Sequence, residues 1–304
     1  MLNPAEAKEA LTGPFPSIST PFKQDGEIDY KALEKMLDFL VSAGSKTIML
    51  TAGDSHYICM SEKEIADITK AVTEYVAGRA MVIVADRCYN TKEAVEFAQY
   101  ARDVKADMLM VMPPDWAQSS TPETLAEHYK AIAVYMPVMI VTNIFIQRGM
   151  DFGLRTIELS LDKSDNIVAI KDDFCGEFAR KMSFLAYDRC AIVAGGQKQN
   201  HMNNHPCGCD GYLSTFMKFK PEIAWRYWKA IEKNDLKEAS SVIKQYDMPF
   251  FDFISSFPGG FDAGLHGTFE LFGLADRWRK PPYYSLNNQE IEKLAQFFKQ
   301  KSLL

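Results

Sequence analysis

Several things are missing from this 304-residue chain, and each absence removes a class of function. No uncharged apolar run approaches the ~18 residues of a membrane-spanning helix. There is no basic excess: 34 Lys and Arg stand against 40 Asp and Glu, for a net charge of −6, so no footprint for a phosphate backbone is present and no nucleic-acid partner is expected. No GxGxxG or GxxxxGK[ST] loop follows the first strand-like segment, and no GxSxG nucleophile turn occurs anywhere. The opening MLNPAEAKEALTG lacks the apolar stretch of a secretory signal, so a cytoplasmic location is expected. Six cysteines occur, at 59, 88, 175, 190, 207 and 209. Cys207 and Cys209 are one residue apart, the wrong spacing for a CxxC motif, and a chain of this size needs no disulfide staples. All six read as reduced thiols.

What is present is a rhythm. Hydrophobic residues make up 47% of the chain, enough for a large core. Eight short, almost continuously apolar runs recur: 14–20, 47–52, 80–86, 107–113, 138–145, 167–173, 190–196 and 210–216. Such runs suit parallel strands buried on both faces. Helical periodicity fills the intervals at 29–44, 61–78, 90–104 and 121–135. The segment from Ser61 opens with a capping-box spacing to Glu64, and that from Thr121 has Pro122 at its first helical position. Eight βα units spaced roughly 30 residues apart indicate a closed (β/α)8 TIM barrel. Strand signals then cease, and 221–234, 236–247, 261–274 and 288–300 read as helices. The expected organisation is a barrel core over 1–220, followed over 221–304 by the eighth barrel helix and a C-terminal helical extension.

In such barrels the chemistry sits where the strands end. Lys171 follows the apolar run Ile167–Ile170 and so emerges from a buried strand, where an ammonium is costly unless it is paired or gives up its proton. A neutral amine there can attack a ketone to form a Schiff base. The plainer alternative is an ion pair with Asp172 or Asp173. Strand alternation puts Asp173 on the side of Lys171 and Asp172 on the other. His201 and His205, four apart, admit a metal reading, but Pro206 ends that segment and no third ligand is evident, so no metal is expected.

The order of these segments resembles the dihydrodipicolinate synthase and N-acetylneuraminate lyase family of Schiff-base barrels. The likeness runs from about Gly13 to Phe298. It rests on residues 21–44, on Thr51-Ala52-Gly53-Asp54-Ser55 in place of a GTTGES turn, on Ala169-Ile170-Lys171-Asp172 in place of GIKD, on Asn143 with Arg148-Gly149, and on the segment 269–274. The resemblance implies that Lys171 forms the Schiff base. It also implies a homodimer or homotetramer and a reaction that needs no dissociable cofactor. Departures accompany it: the family's strand-5 tyrosine is Thr142, its second turn threonine is Ala52, its glutamate is Asp54, and its strand-4 tyrosine segment reads Pro114-Asp115-Trp116. Another group must then carry protons, and Asp173, Asp115, His56 and Tyr57 are the candidates.

The expected function is a Schiff-base lyase, aldolase or dehydratase, acting on a small 2-oxo acid or 2-keto-3-deoxy sugar acid. Lys171, Thr142 and Asp173 form the expected catalytic set. The expected substrate contacts come from Thr51, Ala52, Gly53, Asp54, Asn143, Arg148, Gly195, Gln197, Lys198 and Ser214, with Asn200 nearby. Arg148 would hold a distal carboxylate, and Lys198 an acid group. The rivals are a non-catalytic barrel that kept the lysine, dihydrodipicolinate synthase itself, and a metal-dependent aldolase.

Overall fold

A computed structural model describes residues 2–304 of the chain. The eight apolar runs form eight parallel strands: β1 (Gly13–Phe15), β2 (Thr47–Met49), β3 (Met81–Ala85), β4 (Met108–Val111), β5 (Val138–Val141), β6 (Ile167–Asp172), β7 (Ala191–Ala194) and β8 (Gly211–Leu213). Each neighbour pair is parallel, in the order β1-β8-β7-β6-β5-β4-β3-β2. The ring closes between β1 and β2 by a single parallel bridge from Ser17 to Met49. Pro14 and Pro16 explain that economy: neither has an N–H to donate, so the Pro16 carbonyl accepts from Met49 (3.1 Å) and Ile18 donates back (2.7 Å). The strands are shorter than the apolar runs that announce them because the last residues of each run turn into the loops at the barrel mouth.

The helices are α1 (Pro4–Leu11), α2 (Tyr30–Ser42), α3 (Glu62–Val76), α4 (Thr91–Asp103), α5 (Pro122–Ala133), α6 (Phe145–Arg148), α7 (Met150–Lys163), α8 (Gly176–Ala186), α9 (Gln197–Asn204), α10 (Pro221–Glu232), α11 (Leu236–Val242), α12 (Met248–Ser255), α13 (Gly260–Leu271) and α14 (Asn288–Gln300). The expected caps form: Ser61 with Glu64 before α3, and Thr121 before α5, each as a reciprocal box. The helix α1, which the sequence reading passed over, is capped by Asn3 with Glu6 and packs its buried Ala7 and Leu11 against β6 and β7. The helix expected over 236–247 runs on into α12 through a π-helical turn, Ile243–Asp247. Pro249 lacks the N–H that would continue the α-helical ladder, and the widened turn precedes it. No helix among the described residues is long and apolar enough to cross a membrane.

Every residue of β4, β5, β6 and β7 is buried. Apolar side chains fill the ring, and the polar groups collect where β2, β5, β6, β7 and β8 end. Lys171 stands opposite Val141 of β5 and Val193 of β7, at the rim of that mouth.

Candidate active site

Lys171 leaves β6 with its side chain 9% exposed, and its Nζ donates to both carboxylate oxygens of Asp173, at 2.6 and 2.7 Å. Both residues lie against the end of β7. A Cβ on Gly195 would stand 1.7 Å from Oδ1 of Asp173 and 2.8 Å from Nζ of Lys171, so only glycine leaves room for the pair. The next residue along, Asp172, does a different job on the opposite side. Its carboxylate accepts the Thr142 hydroxyl (3.0 Å) and the N–H groups of Phe174 and Cys175, which ties down the loop after β6. Burial pushes the Asp172 carboxyl up, against those hydrogen bonds.

Asp54, in the turn after β2, forms the other charged wall. Its Oδ2 takes the Ser17 hydroxyl and, at 3.4 Å, the ammonium of Lys218, which also donates to Ser19 (3.1 Å). Burial pushes the Asp54 carboxyl up, but Lys218, Ser17 and Lys171 outweigh it and hold the carboxyl below the ordinary aspartate value. Within the same turn, the Thr51 hydroxyl accepts the Asp54 N–H (3.0 Å) and the Thr51 N–H goes to Ser55 (3.0 Å). Among the described residues the N–H groups of Ala52 and Gly53 have no acceptor. Two successive open donors make a small anion cradle.

Beyond Asp54 opens a cavity of about 670 Å³, lined by Ala52, Gly53, Met112, Phe261, Asp262 and Tyr283 among others. His56 lines it too, stacked between Phe22 and His266 (centroids 5.9 and 5.1 Å) with its Nε2 3.8 Å from Asp262. Burial pushes the His56 imidazole down to about 3, so it is neutral at ordinary pH.

Several expected contacts are placed elsewhere. Thr142 has no accessible surface: its hydroxyl gives to Asp172 and accepts the N–H of Asp173 (2.9 Å) and Phe174 (3.2 Å). Lys198, expected at an acid group of the substrate, is sealed in the core with Asp247 (2.8 Å), over the ring of Phe216. Ser214, just past β8, is likewise fully buried, and its N–H goes to the Phe15 carbonyl of β1 (2.8 Å). The fork of Arg148, expected at a distal carboxylate, is spent on Asp115 and the Ser120 carbonyl (3.0 Å) and lies on the Phe152 ring, so it pins the loop after β4. That pairing also occupies Asp115. Tyr57 is fully enclosed. Gln197 bridges to Thr215 through both amide atoms (2.9 Å each) and holds the β7 and β8 loops together. Asn200 donates to the sulfur of Cys175. Asn143 keeps a buried Oδ1 with no donor among the described residues. His201 sits among the rings of Tyr212, Tyr227, Trp228 and His205, bonded to the Tyr227 hydroxyl (2.9 Å). Among the described residues no group of three or more His, Cys, Asp or Glu stands together as metal ligands.

The site therefore gathers Lys171, Asp173, Gly195, Asp54 and the turn at Ala52-Gly53. Sequence reasoning missed Lys218, Ser17 and Ser19. The signal was available for the first: Phe216-Met217-Lys218-Phe219 is a lysine set in an apolar run just past a strand, the same feature that singled out Lys171.

The model of the dihydrodipicolinate synthetase family matches residues 10–301. A 4-hydroxy-tetrahydrodipicolinate synthase of Methanococcus vannielii is 33% identical over 234 residues, 76% of this chain and 79% of the relative. An Escherichia coli K12 protein named as a probable 2-dehydro-3-deoxy-D-pentonate aldolase is 27% identical over 240 residues, 77% of this chain and 79% of its own. Among solved structures, an E. coli K12 prophage protein of the dihydrodipicolinic acid synthase family, solved in complex with pyruvate, superposes with a TM-score of 0.81. It is 21% identical and covers 96% of this chain and 99% of its own, a likeness of fold.

Proposed function

The chain belongs to the dihydrodipicolinate synthetase family, a family of lyases and aldolases, and from that membership we propose that it is a class I lyase in which Lys171 forms a Schiff base with a small 2-oxo acid. The observation that carries this reading is the position of Lys171: a single lysine at the end of β6, at the rim of the mouth, with a carboxylate on its Nζ. Asp173 accepts the ammonium proton, the free amine attacks the keto carbon, and the same carboxyl returns the proton to the hydroxyl that leaves as water. The resulting iminium draws electrons from the neighbouring carbon, which is what breaking or making a C–C bond, or expelling water, requires. The open N–H groups of Ala52 and Gly53 receive the substrate carboxylate. The pyruvate held by the structural relative agrees with this substrate class.

A lyase or aldolase on a 2-oxo acid fits better than the tyrosine-relayed condensation of dihydrodipicolinate synthase, because Thr142 is enclosed and its hydroxyl is committed to Asp172. The reading as a non-catalytic barrel draws on one observation, the Lys171–Asp173 ion pair itself, and the two differ in reactivity toward ketones. Assembly as a dimer or a dimer of dimers is part of the proposal, with Trp116, 86% exposed on the loop that Arg148 pins, on the face between copies.

The test is exchange of the pyruvate methyl protons with D2O, followed by NMR. Exchange by the native protein and none by Lys171→Ala supports the lyase. A native protein that leaves pyruvate and longer 2-oxo acids unexchanged refutes it.

A further inference from the structure

A class I lyase has proton transfers to make at two places. One is at the amine, where Asp173 stands. The other is two carbons away, at the hydroxyl whose proton must leave when a C–C bond breaks. At the rim of the mouth, in the turn after β2, Asp54 offers a second carboxylate, held by Ser17 and Lys218 and lining the cavity.

Its geometry is that of a held base. Both of its contacts, with the Ser17 hydroxyl and the Lys218 ammonium, fall on Oδ2. The Oδ1 atom has no partner among the described residues and is not enclosed, since the side chain is 33% exposed and lines the cavity. One oxygen is anchored and the other is open to whatever enters. Lys218 is the anchor: its side chain is 2% exposed, and Asp54 and Ser19 are its partners. A lysine is a costly residue to bury beside a loop that any polar residue could cap, and here it fixes the direction of one carboxylate. Asp54 also stands beside the Ala52-Gly53 donors, so a substrate carboxylate seated there brings the rest of the molecule past Oδ1.

Resting on the Schiff-base reading above, we infer that Asp54 is the second acid–base residue of the site, facing Lys171 across the mouth and positioned by Lys218. For a 4-hydroxy-2-oxo acid the steps balance as follows. With the keto carbon held as an iminium on Lys171, Oδ1 of Asp54 takes the proton of the C4 hydroxyl. The C3–C4 bond breaks, C4–O becomes a carbonyl, and the electron pair moves into the iminium to give a neutral enamine. The aldehyde departs into the cavity. Protonated Asp54 then gives its proton to C3, restoring the iminium, and water releases the shorter 2-oxo acid and the amine. No oxidant, reductant or metal enters the balance. Besides Lys218 and Lys171, the charged and titratable groups around Asp54 are Asp262, the neutral His56, Arg87, Cys88 and Tyr283, which line the same cavity. Asp262 pairs with Arg279 (3.5 Å), and burial pushes its carboxyl up.

The experiment compares the native protein with Asp54→Asn and Lys218→Met on three readouts: the pyruvate adduct trapped by borohydride, pyruvate methyl exchange, and cleavage of a panel of 4-hydroxy-2-oxo acids. Asp54→Asn is expected to keep the trapped adduct while exchange and cleavage fall by about 10²–10⁴-fold, the usual weight of a general acid–base group. Lys218→Met keeps the carboxylate and loses its cation, so the acid limb of its kcat profile moves to higher pH, and Lys218→Arg moves it back. Undiminished cleavage and exchange in Asp54→Asn overturns the proposal. So does an unshifted profile in a folded Lys218→Met, or a native protein that is trapped by pyruvate yet cleaves none of the panel. A native protein that is neither trapped nor exchanges pyruvate removes the Schiff-base reading itself, and the inference with it.

Discussion

The Nζ of Lys171 lies 2.6 and 2.7 Å from the two oxygens of Asp173, two residues on and the first residue past the end of β6. A β-strand returns to the same face every second residue, so this contact is written into the backbone rather than into a chance rotamer. Asp173→Asn keeps the size and removes the proton acceptor. The expected result is a fall in kcat of about 10²–10⁴-fold with a smaller change in KM. Steady-state kinetics on the best 2-oxo acid checks it, and an unchanged kcat would leave Asp173 as a mere ion-pair partner.

Gly195 is the space the pair occupies. Because a Cβ there would overlap Oδ1 of Asp173 at 1.7 Å, Gly195→Ala must push the carboxylate off Lys171. A displacement of about 1 Å in a reacting group costs on the order of 10²-fold. The rate of adduct formation with pyruvate is expected to fall by that factor while the melting temperature changes little. Full reactivity in the variant would show that the carboxylate is not needed at that place.

Arg148 separates a structural reading from a binding one. Its guanidinium is 13% exposed and its partner Asp115 4%, and it also caps the Ser120 carbonyl. Arg148→Ala strands a buried carboxylate, at a cost of about 2–4 kcal/mol. Denaturant unfolding should register that loss. An anion-binding role would instead raise KM and leave stability intact.

Asp86, at the end of β3, has no accessible surface, and burial pushes its carboxyl up to about 7, partly offset by the N–H groups of Met112, Cys88 and Tyr89. An exposed aspartate titrates near about 3.9. Between those values the folded state keeps a proton that the unfolded chain has lost, so this group costs stability as pH rises through the window and adds nothing further above about 7. Asp86→Asn is expected to match the native protein at pH 4 and to melt at a higher temperature at pH 8. A difference independent of pH would mean the carboxyl is not displaced.

The legible part of the molecule was whatever repeats with a period. Eight apolar runs announced eight strands, and Ser61 with Glu64 announced a helix start, because burial on both faces and capping each leave a local signature. Lys171 was legible for the same reason, a charge at the end of a buried run, and alternation put Asp173 beside it. What stayed hidden depends on where loops fold back. Nothing local in the sequence says that Arg148 reaches the loop after β4, or that Lys198 turns inward to Asp247 at the end of the π-helical turn. Thr142 reads as a relay because it stands where the resembled family has its strand-5 tyrosine. Its partner Asp172 lies thirty residues on, and their hydrogen bond exists only once β5 and β6 are neighbours. Lys218 carried a usable signal that went unread, since its apolar flanks mark it as clearly as those of Lys171.

The central claim is that Lys171, alone of the three buried lysines among the described residues, reacts. Its most direct measurement is peptide mapping of the protein after incubation with pyruvate and reduction by borohydride. The account predicts a reduced pyruvate adduct on the peptide that carries Lys171 and none on those carrying Lys198 or Lys218. An adduct confined to Lys218, or a folded protein with no adduct on any lysine, would contradict it.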